Sequence, residues 1–463
     1  MNKIKIGFLP LWLKLYDESC PELRPQVEAF VATIRTEYEK RNIEVITTSL
    51  CCLKSEFAEA VNDFEEAQVD AILTLHLAYS PSLESTDILA QTDLPIVVLD
   101  TTHDFEFGFD QKAEAIMLNH GIHGVQDMCN LLIRNGKKFM IEAGHWQKSD
   151  VIDRTLAHFK ACQMVSAMRK ARVGIIGKPF DGMGDFAIDF DVLKKTIGIE
   201  VVSIDAEKFK GLMYGVSNEM IDDEIQNNLE NFTSGEYSEQ SMRDTAATSL
   251  AVRSWLDCEN LNAFTMNFLN VTKASGIPVV PFLEASQAMT RGKGYAGEGD
   301  VLTAALVGAL MTAFPETTFT EMFCPDWKGN KIFLSHMGEI NTDLCAERTV
   351  LQEKPFPYTD ADNPVVATGC LKPGAAYLIN IAPGPNETYT LIASPIKVCD
   401  TKGKETINDA IRGWLEPSMP ISDFLAAYSK LGGTHHLAIS YNANEDILKD
   451  FAANMNWNFV ILS

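Results

Sequence analysis

The chain has 463 residues, 46% apolar and 22% charged, a length that suggests about three domains, each able to bury its own core. Its 63 acidic residues against 39 basic ones leave a net charge of −24, which disfavours phosphate backbones and anionic lipid but tolerates divalent cations and neutral polar substrates. The longest apolar run, Val301 to Phe314, is shorter than the roughly 20 residues of a bilayer span, so neither a nucleic-acid nor a membrane role is expected.

In the first third, Lys3-Ile-Lys-Ile alternates into Phe8-Leu9 as an opening strand rather than a leader, with no small-residue cleavage site behind it. Further strands are expected at Ile43–Ser49, Ala71–Leu77, Pro95–Asp100 and Lys138–Glu142. Helical patterns lie between them at Pro25–Arg41 and Glu56–Ala67, and a long helix over Thr155–Lys170 follows. Strands alternating with helices argue for a parallel sheet. A second such unit opens at Arg172-Val-Gly-Ile-Ile and continues through Ile199–Ile204, Ala263–Leu269 and Pro278–Pro281 to a helix over Val301–Phe314, capped by Asp300. Its acidic insert, Glu219–Glu239, reads as a solvated helix face.

The loop Gly177-Lys-Pro-Phe-Asp-Gly-Met183-Gly has neither phosphate-loop spacing, and Pro179 removes a backbone donor. It is expected to line a cleft at a strand end and to touch a substrate, with Met183 on that side. From Thr317 short strands (Lys331–Ser335, Val365–Gly369, Ala375–Ile381, Tyr389–Ser394) are separated by Pro/Gly turns. Helix Ile421–Leu431, strand His435–Tyr441, helix Asn444–Asn454 and strand Asn458–Leu462 close the chain. The expected fold class is α/β. Two doubly wound parallel-sheet domains (1–168 and 169–316) precede a mainly antiparallel, barrel-like β domain (317–463). Ten scattered cysteines without a C-x-x-C pair fit reduced thiols in a cytoplasmic protein.

Chemistry concentrates late in the chain. Glu298 lies between two glycines ahead of a helix, where the backbone can turn sharply and leave the carboxylate accessible; a plain turn and helix cap would look the same. Glu321 shares a period-2 face with Phe319 and Phe323, and a carboxylate among aromatics needs a partner or a metal. His336 ends a short strand. In His435-His436, alternation separates the rings and leaves His436 on the small, open side. Two carboxylates and one or two imidazoles suit Mn²⁺, Co²⁺, Fe²⁺ or Zn²⁺.

These segments resemble the L-arabinose isomerase and L-fucose isomerase family, nearest to the arabinose type. The resemblance rests on Gly294-Tyr-Ala-Gly-Glu-Gly-Asp, Thr318-Phe-Thr-Glu, Leu334-Ser-His-Met-Gly-Glu and Gly432-Gly-Thr-His-His. Leu118-Asn-His-Gly-Ile-His-Gly and Leu75-His-Leu-Ala-Tyr-Ser-Pro carry it in the first domain. It implies a Mn²⁺-type ion (or Co²⁺ or Fe²⁺) held by Glu298, Glu321, His336 and His436. It also implies a homo-oligomer, trimer or hexamer, with active sites between subunits. His123 would bind sugar and Phe268 would line an apolar pocket. His120, three residues before His123, stands where the family has glutamine, and Leu13-Lys-Leu-Tyr16 stands for Gln-His-Leu-Tyr. The metal set is thus intact while the sugar-reading residues differ.

The expected activity is aldose–ketose isomerisation of a pentose or 6-deoxyhexose through a cis-enediol, with Glu298 and Glu321 trading base and acid roles. Two α/β lobes around a cleft also describe a non-catalytic sugar-binding protein, which has no need of Glu298, Glu321, His336 and His436 together, whereas a metal-dependent hydrolase would use the same ligands to activate water.

Overall fold

A computed structural model describes residues 3–404 and 406–463. The chain forms two compact units, Met1–Ser166 with Asp446–Met455, and Ala167–Glu445 with Asn456–Ser463. Among the described residues no helix is long and apolar enough to cross a membrane.

The first unit is built on five parallel strands, β1 (Lys5–Leu11), β2 (Glu44–Thr47), β3 (Ala71–His76), β4 (Ile96–Asp100) and β5 (Phe139–Ala143), in the order β2-β1-β3-β4-β5. β3 is buried along its whole length, as a strand covered on both faces must be. The strand order reverses between β1 and β3, where Leu11 pairs with His76. Ligands of open α/β sheets bind beyond the carboxyl ends of the strands at such a reversal. Tyr16 follows β1 there, and His76 and Tyr79 end and follow β3.

The second unit contains another parallel sheet, from β6 (Arg172–Ile176), β7 (Glu200–Ile204), β9 (Ala263–Met266) and β10 (Gly294–Gly297), ordered β10-β9-β6-β7; β8 (Thr233–Ser234) lies elsewhere. The expected strand at Pro278–Pro281 does not form, and Val279 makes only an isolated bridge to Asp362. Proline has no N–H for a ladder. The fourth strand is instead the glycine-flanked Gly294–Gly297, whose composition hides it from a propensity reading. The acidic insert does form a helix, Asn218–Asn231, but it is not wholly solvated: buried Glu224 pairs with Arg253 at 2.8 Å. Asp300 caps helix Val301–Ala313, its Oδ1 accepting from Thr303 N at 2.9 Å.

The remaining strands are β11 (Thr317–Asp326), β12 (Lys331–Ser335), β13 (Val350–Glu353), β14 (Val365–Cys370), β15 (Gly374–Pro383), β16 (Tyr389–Val398), β17 (Ile411–Pro417), β18 (His436–Ser440) and β19 (Asn458–Ile461). Antiparallel pairing runs β16-β15-β18-β11-β12-β17 and back to β16, closing six strands into a barrel. Its core includes Leu334, Leu378, Ile392, Leu415, Leu437 and Ile439. Closure removes the free edges that an open sheet would leave.

Candidate metal centre and catalytic carboxylates

Sheet register assembles half of the site. In β11, Glu321 pairs with His436 of β18 on one side and with Ser335 of β12 on the other, and His336 follows directly. One ligand atom each from Glu321, His336 and His436 lie within 4.8 Å of one another. Phe319, two residues before Glu321, packs edge-on to His336 and His436 at 4.9 and 5.0 Å. Phe323 leaves that face: a register shift between Met322 and Cys324 turns it outward, and it is 44% exposed, against the expected alternation.

Glu298 arrives from the carboxyl end of β10. Its φ is 61°, a left-handed conformation that a non-glycine residue adopts at a cost of about 1–2 kcal/mol. Such strain persists where surrounding contacts impose it. The backbone O of Glu298 accepts from Phe180 N at 2.9 Å. Gly297 is needed because a Cβ there would lie 2.4 Å from the His336 ring. The Glu298 Oε2 stands 3.5 Å from Nε2 of both His435 and His436. Contrary to expectation the carboxylate is largely buried, its side chain 11% exposed.

Each histidine is held from behind by a carboxylate. Asp300 Oδ2 lies 3.1 Å from His436 Nδ1, Glu339 Oε2 lies 2.8 Å from His336 Nδ1, and Asp185 Oδ2 lies 2.6 Å from His435 Nδ1. Glu339 is fully buried, and also accepts from Tyr295 Oη at 2.6 Å and Gly338 N at 2.7 Å. A carboxylate on one ring nitrogen fixes the tautomer and turns the other nitrogen toward a metal. The buried His436 Nε2 has no hydrogen-bond partner among the described residues.

The electrostatics separate the two glutamates. Burial alone would raise the Glu298 carboxyl, but His435 and His436 hold it well below the ordinary carboxylate range. Burial raises Glu321, and the neighbouring histidines only partly offset it. Burial opposes charge on His435, yet Asp185 and Glu298 bring it to about 10. Asp185 is pushed up by burial and pulled down by His435 to about 2.

Alternation would separate the two rings and leave His436 on the open side, but His436 is fully buried. Because β18 begins only at His436, strand alternation does not govern His435, and its ring stays 4.3 Å from that of His436. Asp300, Glu339 and Asp185 escape a reading of spacing alone. Asp300 already has a use as a helix cap, and Glu339 is visible only as an acid three residues after His336. Asp185 leaves no local signal, being 250 residues from His435.

The other candidates fall in two places. Phe268 is buried against Phe180, Phe356 and Tyr358 at 5.6–5.9 Å, an apolar pocket just after β9. Met183 is half-buried in the loop after β6, its N–H bonded to Phe180 O at 3.3 Å. His120 and His123 belong to the first unit. His120 Nε2 is 3.0 Å from Tyr16 Oη, and exposed His123 stacks on Tyr79 at 4.9 Å.

Residues 193–314 match the L-arabinose isomerase central domain, and residues 316–458 match the L-arabinose isomerase C-terminal domain. The chain belongs to the L-arabinose isomerase family. The L-arabinose isomerase of Herpetosiphon aurantiacus is 26% identical, over 81% of this chain and 76% of that protein. Those of Anoxybacillus flavithermus and Oceanobacillus iheyensis are 23% and 24% identical, over 94% and 85% of this chain and 85% of each relative. As a member of this family the chain is an aldose–ketose isomerase, an intramolecular oxidoreductase.

Proposed function

We propose that this isomerase is divalent-metal-dependent and acts on a pentose or 6-deoxyhexose related to L-arabinose or L-fucose. The observation that carries this reading is the pair of overlapping donor groups, Glu298–His435–His436 and Glu321–His336–His436, which share His436, whose buried Nε2 has no hydrogen-bond partner among the described residues. Two carboxylates and two imidazoles without a thiolate suit Mn²⁺, with Co²⁺ or Fe²⁺ as alternatives. Such an ion, when bound, supplies Lewis-acid stabilisation of charge on the sugar oxygens O1 and O2.

The chain's own groups handle the protons. One of Glu298 and Glu321 accepts the C2 proton while O1 gains one, giving the cis-enediol; O2 then loses its proton as C1 gains one. Asp300 and Glu339 hold the two ligand imidazoles, and the Phe268 cluster supplies the apolar wall. Met183, on the loop after β6, lies on the substrate side.

His123 and His120 contact sugar hydroxyls from a neighbouring subunit of a homo-oligomer, trimer or hexamer. Exposure of His123 supports this role. The proposal includes three functional domains, 1–168, 169–316 and 317–463, in a cytoplasmic enzyme.

The test is ketose formation from L-arabinose, L-fucose, D-arabinose, D-galactose and L-ribose, each with Mn²⁺ and with EDTA. At least one sugar should give ketose that EDTA abolishes and Mn²⁺ restores. A metal-loaded protein that converts none of them would sink the proposal.

A further inference from the structure

The loop after β6 is tied into the site at several points. Phe180 N bonds the backbone O of Glu298 at 2.9 Å, and Gly299 (φ 85°) leaves room for Pro179, whose Cα would lie 2.6 Å from a Cβ there. Phe186 is buried, stacking on His436 at 5.1 Å and tilting against His435 at 5.5 Å. Beside it, a single oxygen of Asp185 accepts from both the backbone N of His435, at 3.0 Å, and its ring Nδ1, at 2.6 Å. The two donors prevent the imidazole from turning over, so its other nitrogen remains 3.5 Å from Glu298 Oε2.

We infer that Asp185 is a positioning residue: it fixes the His435 ring so that Nε2 braces the Glu298 carboxylate in its reacting orientation. The inference rests on the proposal that Glu298 is one of the reacting carboxylates. Asp185 bonds His435 and neither Glu298 nor His436 directly, so its loss should be felt more in turnover than in metal binding. A carboxylate that orients a histidine in this way is typically worth about 10–100-fold.

The experiment compares wild type, D185A, D185N, H435A, D185A/H435A and E298Q for kcat and KM on the best sugar of the panel. Mn²⁺ affinity by calorimetry and thermal midpoint are measured alongside. D185A should lower kcat by about 10–100-fold, with KM and midpoint unchanged and Mn²⁺ affinity changed by less than kcat. D185N should fall between, because the Asn carbonyl oxygen can still accept both N–H groups while the charge is lost. In the H435A background the D185A change should cost nothing further, since residues acting as one unit are non-additive.

Equal loss from D185A in both backgrounds would overturn the inference. So would a lowered midpoint or weakened Mn²⁺ binding at unchanged kcat, which marks a merely structural contact. If E298Q retains wild-type turnover, the underlying reading fails instead, whatever D185A does.

Discussion

Two groups of histidines, His336, His435 and His436 in the second unit and His76, His120 and His123 in the first, are built in opposite styles. In the second unit His336, His435 and His436 each have Nδ1 on a carboxylate at 2.6–3.1 Å. In the first unit His120 and His123 lie among aromatics, with the Tyr16 hydroxyl on His120 and the Tyr79 ring stacked on His123. Buried His76 has no hydrogen-bond partner on either ring nitrogen among the described residues, and burial pushes its pKa down to about 3. A ring backed by a carboxylate is a stronger electron donor with a fixed tautomer, which metal binding demands. A ring stacked on one side by a tyrosine keeps its other face and its edge for a neutral polyol. The difference separates a cluster built around charge from one built on aromatic contacts.

The largest effect should come from removing a reacting carboxylate. Glu321→Gln keeps volume and hydrogen bonding but cannot exchange a proton, so kcat should fall by at least about 10²–10⁴-fold. Ketose formation at saturating Mn²⁺ measures this, and near-wild-type turnover would remove Glu321 from the mechanism. The carboxylates behind the rings come next. Glu339→Gln and Asp300→Asn should each weaken Mn²⁺ binding by about 10–100-fold, read by calorimetry on folded protein. Affinity equal to wild type in both would erase the contrast between the clusters.

His123→Ala should act in the opposite way, raising KM by about 2–10-fold for loss of one neutral hydrogen bond while Mn²⁺ affinity stays unchanged. If this variant instead loses metal, the first unit's histidines are not sugar readers.

How much of this could be read from the sequence follows from locality. The strands of both parallel sheets from β1 to β7 declare themselves by apolar runs, as does the Asp300 cap by its place before Val301. Glycine-flanked β10 and the absence of a strand at Pro278–Pro281 are not legible in the sequence because their composition opposes their conformation. Glu298, Glu321, His336 and His436 stood out as polar residues in apolar or glycine contexts. Their supports did not, because a buried acid such as Glu339 announces itself only once its partners Tyr295 and Gly338 are in place. His435 shows the limit of periodicity, which says nothing of a residue one step outside its strand.

The smallest effect concerns cohesion of the first unit. His158 Nδ1 lies 2.6 Å from Asp450 Oδ2, joining helix Val151–Arg169 to helix Glu445–Asn454, and its Nε2 lies 3.1 Å from Glu142 Oε1 on β5. Burial pushes the imidazole pKa down, but Asp450 and Glu142 more than reverse this, so the folded value lies above 6.5. Arg154, 2.5 Å from the other oxygen of Glu142, competes for that carboxylate and moderates the effect. A group whose pKa is higher in the folded state contributes fully below its unfolded value. That contribution is lost as pH rises through the folded value, at no more than about 1.4 kcal/mol per pH unit. The thermal midpoint of wild type should therefore exceed that of His158→Gln most below about pH 6.5, and the gap should narrow as pH rises. A gap that stays constant across that range would show that the helices are joined by packing and not by the charged imidazole, leaving the second unit's cluster as the place where histidine charge matters.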